Sequence, residues 1–182
     1  MYRTDFSFII PVYNGEEFIS ETIDSILSQT IQNIEIVILN NGSKDSTQDI
    51  INKIRDKRLK IISYPHLSQL AQSLNRSFDI DISSPLFSII HADDKIKTNF
   101  CEKAIQTANK YTSHDLFFTQ ALIINQVSVR QYSIKNSLKN FMHFYGNYSG
   151  FSGFWRLFCW NTLIAPSAIY RTDRKKDYFR FD

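Results

Sequence analysis

His91-Ala92-Asp93-Asp94 is the segment of this chain best equipped for chemistry. It follows Leu86 to Ile90, a short apolar run, so two adjacent carboxylates arrive at the end of what reads as a buried strand. Charges delivered to such a place are costly unless a cation or hydrogen-bond donors meet them, and hard divalent cations prefer oxygen ligands. Mg²⁺ or Mn²⁺ bridging a diphosphate would satisfy both the charge and the geometry. The plainer alternative is that Asp93 or Asp94 caps a following turn and that His91 is a hydrogen-bonded strand-end residue.

Two other loops carry suitable groups. Asn40 and Asn41 open the turn Asn40-Asn41-Gly42-Ser43, and an Asn carboxamide can accept from uracil N3–H and donate to uracil O4. A simple Asn-Gly turn explains the same residues without a ligand. Tyr13 follows Pro11 and Val12 at the end of an apolar run and can stack on a base or ribose, or pack at the rim. An aromatic ring, an amide pair and an acid pair on successive strand ends together form, in principle, a nucleotide-diphosphate pocket.

The elements that must position these loops alternate. Phe6 to Val12, Ile34 to Leu39, Leu59 to Ser63, Leu86 to Ile90 and Asp115 to Ile124 read as strands. Between them, apolar residues recur at helical spacing: Phe18, Ile19, Thr22, Ile23, Ile26 and Leu27; Ile50, Ile51 and Ile54; Leu70, Leu74 and Phe78; Phe100, Ala104, Ile105 and Ala108. Glu16, Glu17 and Glu21 suit the start of the first helix, and Asp45 with Gln48 and Asn99 with Glu102 predict capping boxes. Such alternation predicts an α/β fold with a mainly parallel sheet flanked by helices, whose ligands gather at the carboxyl ends of the strands. From Gln126 to Trp160 the periodicity weakens into a crowd of aromatic residues, and Asn161 to Tyr170 predicts a last strand interrupted or edged by Pro166. The expected organisation is a nucleotide-binding region over residues 1–125 and a less regular region over 126–182 of the same domain.

At 182 residues, with 43% hydrophobic and 21% charged side chains, the chain can bury a substantial core, which excludes disordered and collagen-like classes. Cys101 and Cys159 have no metal-ligand spacing and read as two reduced thiols. No apolar stretch approaches the roughly 18 to 20 residues of a membrane span, and the N-terminus lacks a signal-peptide core, so a cytoplasmic place is expected. The net charge of +3 is unevenly placed, about −3 over residues 1–125 and about +6 over 126–182. Nothing in it calls for nucleic acid. A solvated basic face explains the last third, and contact with anionic lipid headgroups at the inner face of the membrane is the alternative.

Phe8 to Gly15 followed by Glu17-Phe18-Ile19 resembles the opening of family 2 glycosyltransferases, and Glu21 to Thr30 continues the resemblance. Glu35 to Ile38, Gly42 to Ser46, Ser73 to Arg76, Ala92-Asp93-Asp94, and Asn161 with Pro166-Ser167 and Phe181-Asp182 are similar to later family segments. The resemblance implies a GT-A-like fold, with a Rossmann-like nucleotide-binding half and a partial acceptor half. It implies an inverting transfer of a sugar from a nucleoside-diphosphate donor, commonly a UDP-sugar, to a glycan or lipid-linked acceptor in cell-surface polysaccharide synthesis. On that basis Asp93 matches the metal-binding acid, with Mg²⁺ or Mn²⁺ as cofactor. Pro11, Tyr13, Asn40, Asn41, His91 and Asp94 match donor-binding positions.

Three departures stand out. The base-facing pair, often aspartate in the family, is Asn40-Asn41; the first acid of the Asp-x-Asp motif is His91; and the sequence reaches Phe181-Asp182 before the segment where the family usually places its catalytic base. The expected catalytic residue is therefore unassigned. Two alternatives to a complete transferase follow: a donor-binding remnant or a chain completed by a second polypeptide, and a nucleotidyltransferase on a similar sheet, which the lack of a Gly-rich phosphate loop after the first strand disfavours.

Overall fold

The structure is a computed structural model that describes residues 3–66, 70–119, 124–125 and 168–177. Strands and helices alternate along the chain: β1 (Phe6–Val12), α1 (Ile19–Leu27), β2 (Ile34–Asn41), α2 (Thr47–Lys53), β3 (Leu59–Tyr64), α3 (Leu70–Asp79), β4 (Leu86–Ile89), α4 (Phe100–Lys110), β5 (Leu116–Phe118) and β6 (Ala168–Arg171). A 3₁₀ helix, Thr172–Asp177, closes the described chain. The six strands form one sheet in the order β3-β2-β1-β4-β6-β5.

The period-two alternation of the strands sorts their side chains onto two faces. Phe6, Phe8, Ile10 and Val12 of β1 join Ile36 and Ile38 of β2 beneath Ile19, Ile23 and Ile26 of α1, Ile51 of α2 and Ala104 and Ala108 of α4. On the other face Ile9, Val37, Leu39, Phe87 and Ile89 pack with Phe78 of α3. Covering both faces is what makes these strands apolar almost throughout, as expected for parallel strands. Cys101 lies inside the first core, where burial pushes its thiol up to about 12 and leaves it a packing group rather than a nucleophile.

β1 pairs in parallel with β2 on one side and β4 on the other, from Phe6↔Ile34 to Val12↔Asn40 and from Ser7↔Phe87 to Ile9↔Ile89. Because the chain builds outward to β3 and then restarts on the far side of β1, the strand order reverses between β1 and β4, the point where open α/β sheets place their ligands. Pro11 fits this seam. Ile9 bonds toward β4 through its carbonyl to Ile90 N (2.9 Å), so the missing N–H two residues on also falls on the β4 side, beyond the last β1–β4 pair.

The structure revises several local expectations. β2 runs on through Asn41, since Asn40 and Asn41 pair with Ser63 and Tyr64 of β3 rather than starting a turn. α1 starts at Ile19, after a turn that holds Glu16. Neither capping box forms: Asp45 accepts from Thr47 and from the Glu16 amide, and Asn99 precedes α4 with no side-chain cap. Asp45 instead divides its oxygens between a local turn at Thr47 and the distant Glu16 amide.

The last strand antiparallel to β4 (Leu86↔Arg171, Phe87↔Tyr170) was expected only as part of Asn161 to Tyr170, whose residues 161–167 lie outside the described ones. Arg171 anchors it. Its guanidinium donates to the carbonyls of Ala108 (2.7 Å) and Tyr111 (3.1 Å) at the end of α4 and to that of His114 (2.6 Å), supplying cationic partners where the helix dipole is negative.

The chain divides into two compact units, Met1–Phe117 with Ala168–Asp182, and Phe118–Ser167. β6 falls in the first of these units, through its antiparallel pairing with β4. A strand pairing across about 80 residues leaves no local sequence trace. The aromatic stretch 141–160 and Cys159 lie outside the described residues. Among the described residues no helix is long and apolar enough to cross a membrane.

Candidate functional site

The loops after β1, β2 and β4 meet at the carboxyl edge of the sheet, and specific bonds bring them together. The loop after β1 is laced to the loop after β2: Asn14 N donates to Ser43 Oγ (3.0 Å), Lys44 N to Asn14 Oδ1 (2.8 Å), Gly15 N to Thr47 Oγ1 (2.8 Å) and Ser46 N to Glu16 Oε2 (2.8 Å). Asn14 adopts a left-handed backbone (φ 51°), a conformation Asn tolerates better than most residues, and Gly42 does the same at φ 74°. Burial pushes the Asp45 carboxyl up, but hydrogen bonds from the Thr47 hydroxyl and the Glu16 and Thr47 amides outweigh it and hold the group below its ordinary value.

The loop after β4 rests on α1. Thr22 Oγ1 donates to the Ala92 carbonyl (2.8 Å), Ile96 N donates to Ser25 Oγ (3.2 Å), and the buried Gln29 donates to the Lys97 carbonyl (2.8 Å) while accepting from Cys101 N (3.0 Å). Lys95 pairs with Glu21 beside them. Thr22, Ser25 and Gln29 recur at spacings of three and four, so they share a face and form a polar rail along and just beyond α1. Sequence reading placed Thr22 in an apolar stripe and passed over Ser25 and Gln29, because bonds to residues some 70 positions away have no local signature.

On this support His91, Asp93 and Asp94 present one ligand atom each, all within 4.8 Å of one another. Hard cations bind oxygen ligands at roughly 2.0–2.6 Å, so atoms up to about 5 Å apart can share one ion, and the donor set fits. His91 Nδ1 lies 4.0 Å from Asp94 Oδ2, near but beyond a hydrogen bond. The turn itself is closed by a backbone bond, Asp94 N to His91 O (3.1 Å), and not by either carboxylate, which favours the ligand reading over the capping one. Asp93 is exposed, whereas Asp94 is partly buried. Burial raises the Asp94 carboxyl, His91 opposes the shift, and the neighbouring charge of Asp93 adds to it.

The other expected site residues fall unequally. Tyr13 stands at the edge with 39% of its surface exposed, and Pro11 is partly buried in β1. Asn40 and Asn41 are 3% and 2% exposed. As neighbours on a strand they point to opposite faces: Asn40 donates to Gln48 Oε1 (2.7 Å) and accepts from Ser43, while Asn41 donates to Ser73 Oγ (2.8 Å) and accepts from Arg76 Nη1 (3.1 Å). The pair therefore does not present two carboxamides to one base. Arg76, stacked 4.1 Å over the Tyr64 ring, is the neighbour that sequence reading left without a role.

This sheet, with the loops after β1, β2 and β4 at its strand reversal, defines the chain as an α/β protein of the GT-A class. It is similar in fold to the crystal structure of Staphylococcus aureus TarS 1–349, with a TM-score of 0.71 at 22% identity, covering 96% of this chain and 49% of that one. It is also similar to the mannosyltransferase PcManGT from Pyrobaculum calidifontis in complex with GDP-Man and Mn²⁺, with a TM-score of 0.69 at 15% identity, covering 100% of this chain and 48% of that one. The family profile described as Glycosyl transferase family 2 matches residues 7–169, and the chain belongs to that family. An uncharacterized glycosyltransferase of Rickettsia prowazekii is 35% identical over 136 residues, 74% of this chain and 42% of the relative. One of Haemophilus influenzae is 38% identical over 106 residues, 57% of this chain and 32% of the relative. The matched segments thus cover less than half of either relative.

Proposed function

We propose that the strand-end site binds a nucleoside-diphosphate sugar, a UDP-sugar in the first instance, and that the protein transfers the sugar to a hydroxyl of a glycan or lipid-linked acceptor in cell-surface polysaccharide synthesis. The observation that carries this reading is the convergence of His91, Asp93 and Asp94 within 4.8 Å beside the strand reversal. Support comes from the family and from fold neighbours bound to UDP-GlcNAc and to GDP-Man with Mn²⁺.

In this reading Asp93, assisted by His91 and Asp94, holds Mg²⁺ or Mn²⁺. Such an ion, when bound, neutralises diphosphate oxygens and stabilises the departing nucleoside diphosphate. The rail of Thr22, Ser25 and Gln29 fixes the loop that carries the ligands, so the site is assembled before donor arrives. Tyr13 covers the base, Pro11 shapes the seam, and Asn40 and Asn41 hold the β2 edge from its two sides. Residues 126–182 contribute to the acceptor side. The protein works in the cytoplasm, with the basic last third touching anionic lipid at the membrane's inner face.

Isothermal titration of UDP or UDP-GlcNAc into the chain, with Mn²⁺ and then with EDTA, tests the reading. Binding is expected only with the metal, and equal or absent binding in both conditions would end it. In the same titration Tyr13→Ala should weaken UDP binding by about 1 kcal/mol, the low end for base stacking because the ring stands at an open rim.

A further inference from the structure

We propose that Ser43 is a positioning residue for the donor base: its hydroxyl, anchored on Asn40, fixes the peptide that follows Tyr13 and so sets how that ring meets the base. The proposal rests on the nucleotide site described above, and in particular on Tyr13 as the ring that covers the base.

Tyr13 stands where the sheet stops holding the chain. β1 is paired with β2 as far as Val12↔Asn40, and Tyr13 is the next residue, 39% exposed. Asn14 follows with a left-handed backbone, φ 51°. Residues other than glycine occupy that region rarely, so neighbouring bonds must hold it there. The loop after β2 supplies them: the Asn14 amide donates to Ser43 Oγ (3.0 Å), and Asn14 Oδ1 accepts from Lys44 N (2.8 Å).

The direction of each proton is forced. A backbone amide only donates, so Ser43 Oγ accepts from Asn14 and gives its single hydrogen to Asn40 Oδ1 at 2.6 Å. The same Asn40 oxygen accepts from Ser43 N (3.1 Å), so a flipped carboxamide would set its NH₂ against that N–H. At its other end Asn40 donates to Gln48 Oε1 (2.7 Å) of α2, which also accepts from Ser63 Oγ (2.9 Å) of β3. Asn40 is 3% exposed, which shields these bonds from water and makes it a firm anchor. A one-way relay thus runs from α2 and β3 through Asn40 and Ser43 to the peptide after Tyr13. Its middle member must accept and donate at once, which a hydroxyl does and an alkyl group cannot. The Asn14 bond itself lies open to solvent, so removing it loosens the loop and leaves the fold in place.

The test is a double-mutant cycle on the whole chain, read by titration of UDP and of pyrophosphate, each with Mn²⁺. Ser43→Ala should weaken UDP binding about three- to fivefold, no more than Tyr13→Ala does, because its effect passes through that ring. In the Tyr13→Ala background the same change should alter UDP affinity by less than about 1.5-fold. Ser43→Thr keeps the hydroxyl and should bind UDP within about twofold of the unaltered chain. Pyrophosphate has no base to cover and should bind every variant alike. Equal UDP losses from Ser43→Ala with and without the Tyr13 ring would give Ser43 another route of action and overturn the proposal. So would a Ser43→Ala chain that binds UDP normally, or one in which pyrophosphate affinity falls in step with UDP, the mark of general loosening. Failure of the underlying reading looks different: Tyr13→Ala would leave UDP affinity unchanged, or neither UDP nor pyrophosphate would bind with Mn²⁺, and the positioning role would go with it.

Discussion

Asp93→Ala is expected to remove the metal-dependent part of UDP binding, with affinity in Mn²⁺ falling on the order of 100-fold or more to the level measured in EDTA. Even partners that only orient a metal ligand typically account for 10- to 100-fold in metal affinity, so loss of a charged ligand should cost at least as much. In the proposed site Asp93 should carry the larger share of the metal binding. It is the exposed member of the cluster, whereas Asp94 is partly buried and its carboxyl is raised by that burial, with His91 working against the shift and Asp93 adding to it. Removing Asp93 takes away the like charge beside Asp94, but leaves one carboxylate and one imidazole to hold a divalent ion against water. The change should be specific: the loop is held through Thr22, Ser25 and Gln29, none of which touches the Asp93 carboxylate, so thermal stability should move by less than about 0.5 kcal/mol, as for a surface site. A variant that keeps full affinity in Mn²⁺ and loses it in EDTA would show that the ion sits elsewhere.

The contrast between Asp93 and the Asn pair shows what one sequence can disclose. Alternating apolar runs and helical stripes made the sheet and its helices legible, because burial on both faces imposes those periods on every strand and helix. The ends of those runs then pointed to the loops after β1, β2 and β4, and Asp93 drew notice as a candidate ligand since a charge at the end of a buried strand has few inexpensive explanations. Asn40 and Asn41 misled for the converse reason. Asn favours turns by propensity, yet here pairing with Ser63 and Tyr64 extends β2 through both residues and sends their side chains to opposite faces. Where local preference and sheet pairing compete, the long-range bond decides. Arg76, the polar rail on α1 and the return of β6 all depend on contacts between residues tens of positions apart, so their roles come into view only in the folded chain.

The same logic makes Gly15→Ala the informative test of how the site is assembled. Gly15 reads as a turn residue, but its importance is spatial: a Cβ there would lie 2.6 Å from Val12 Cγ2 and 3.5 Å from Ala92 Cβ. Val12 is 2% exposed and β-branched, so its methyl cannot swing away freely. Gly15 is also pinned, with its amide on Thr47 Oγ1 and its carbonyl accepting from Phe18 and Ile19, so the backbone has little room to retreat. Overpacking of this kind typically costs about 1–3 kcal/mol, measured as a lower midpoint in urea unfolding. Because the clash falls on Val12, the residue before Tyr13, donor affinity should fall along with stability. Val12→Ala supplies the control. It deletes the clashing methyl at the cost of a cavity, and in that background Gly15→Ala should cost at least about 1 kcal/mol less than in the unaltered chain, a coupling that a double-mutant cycle isolates. Additive costs would mean that the two residues do not meet, and that the cost of a side chain at position 15 comes from something other than Val12.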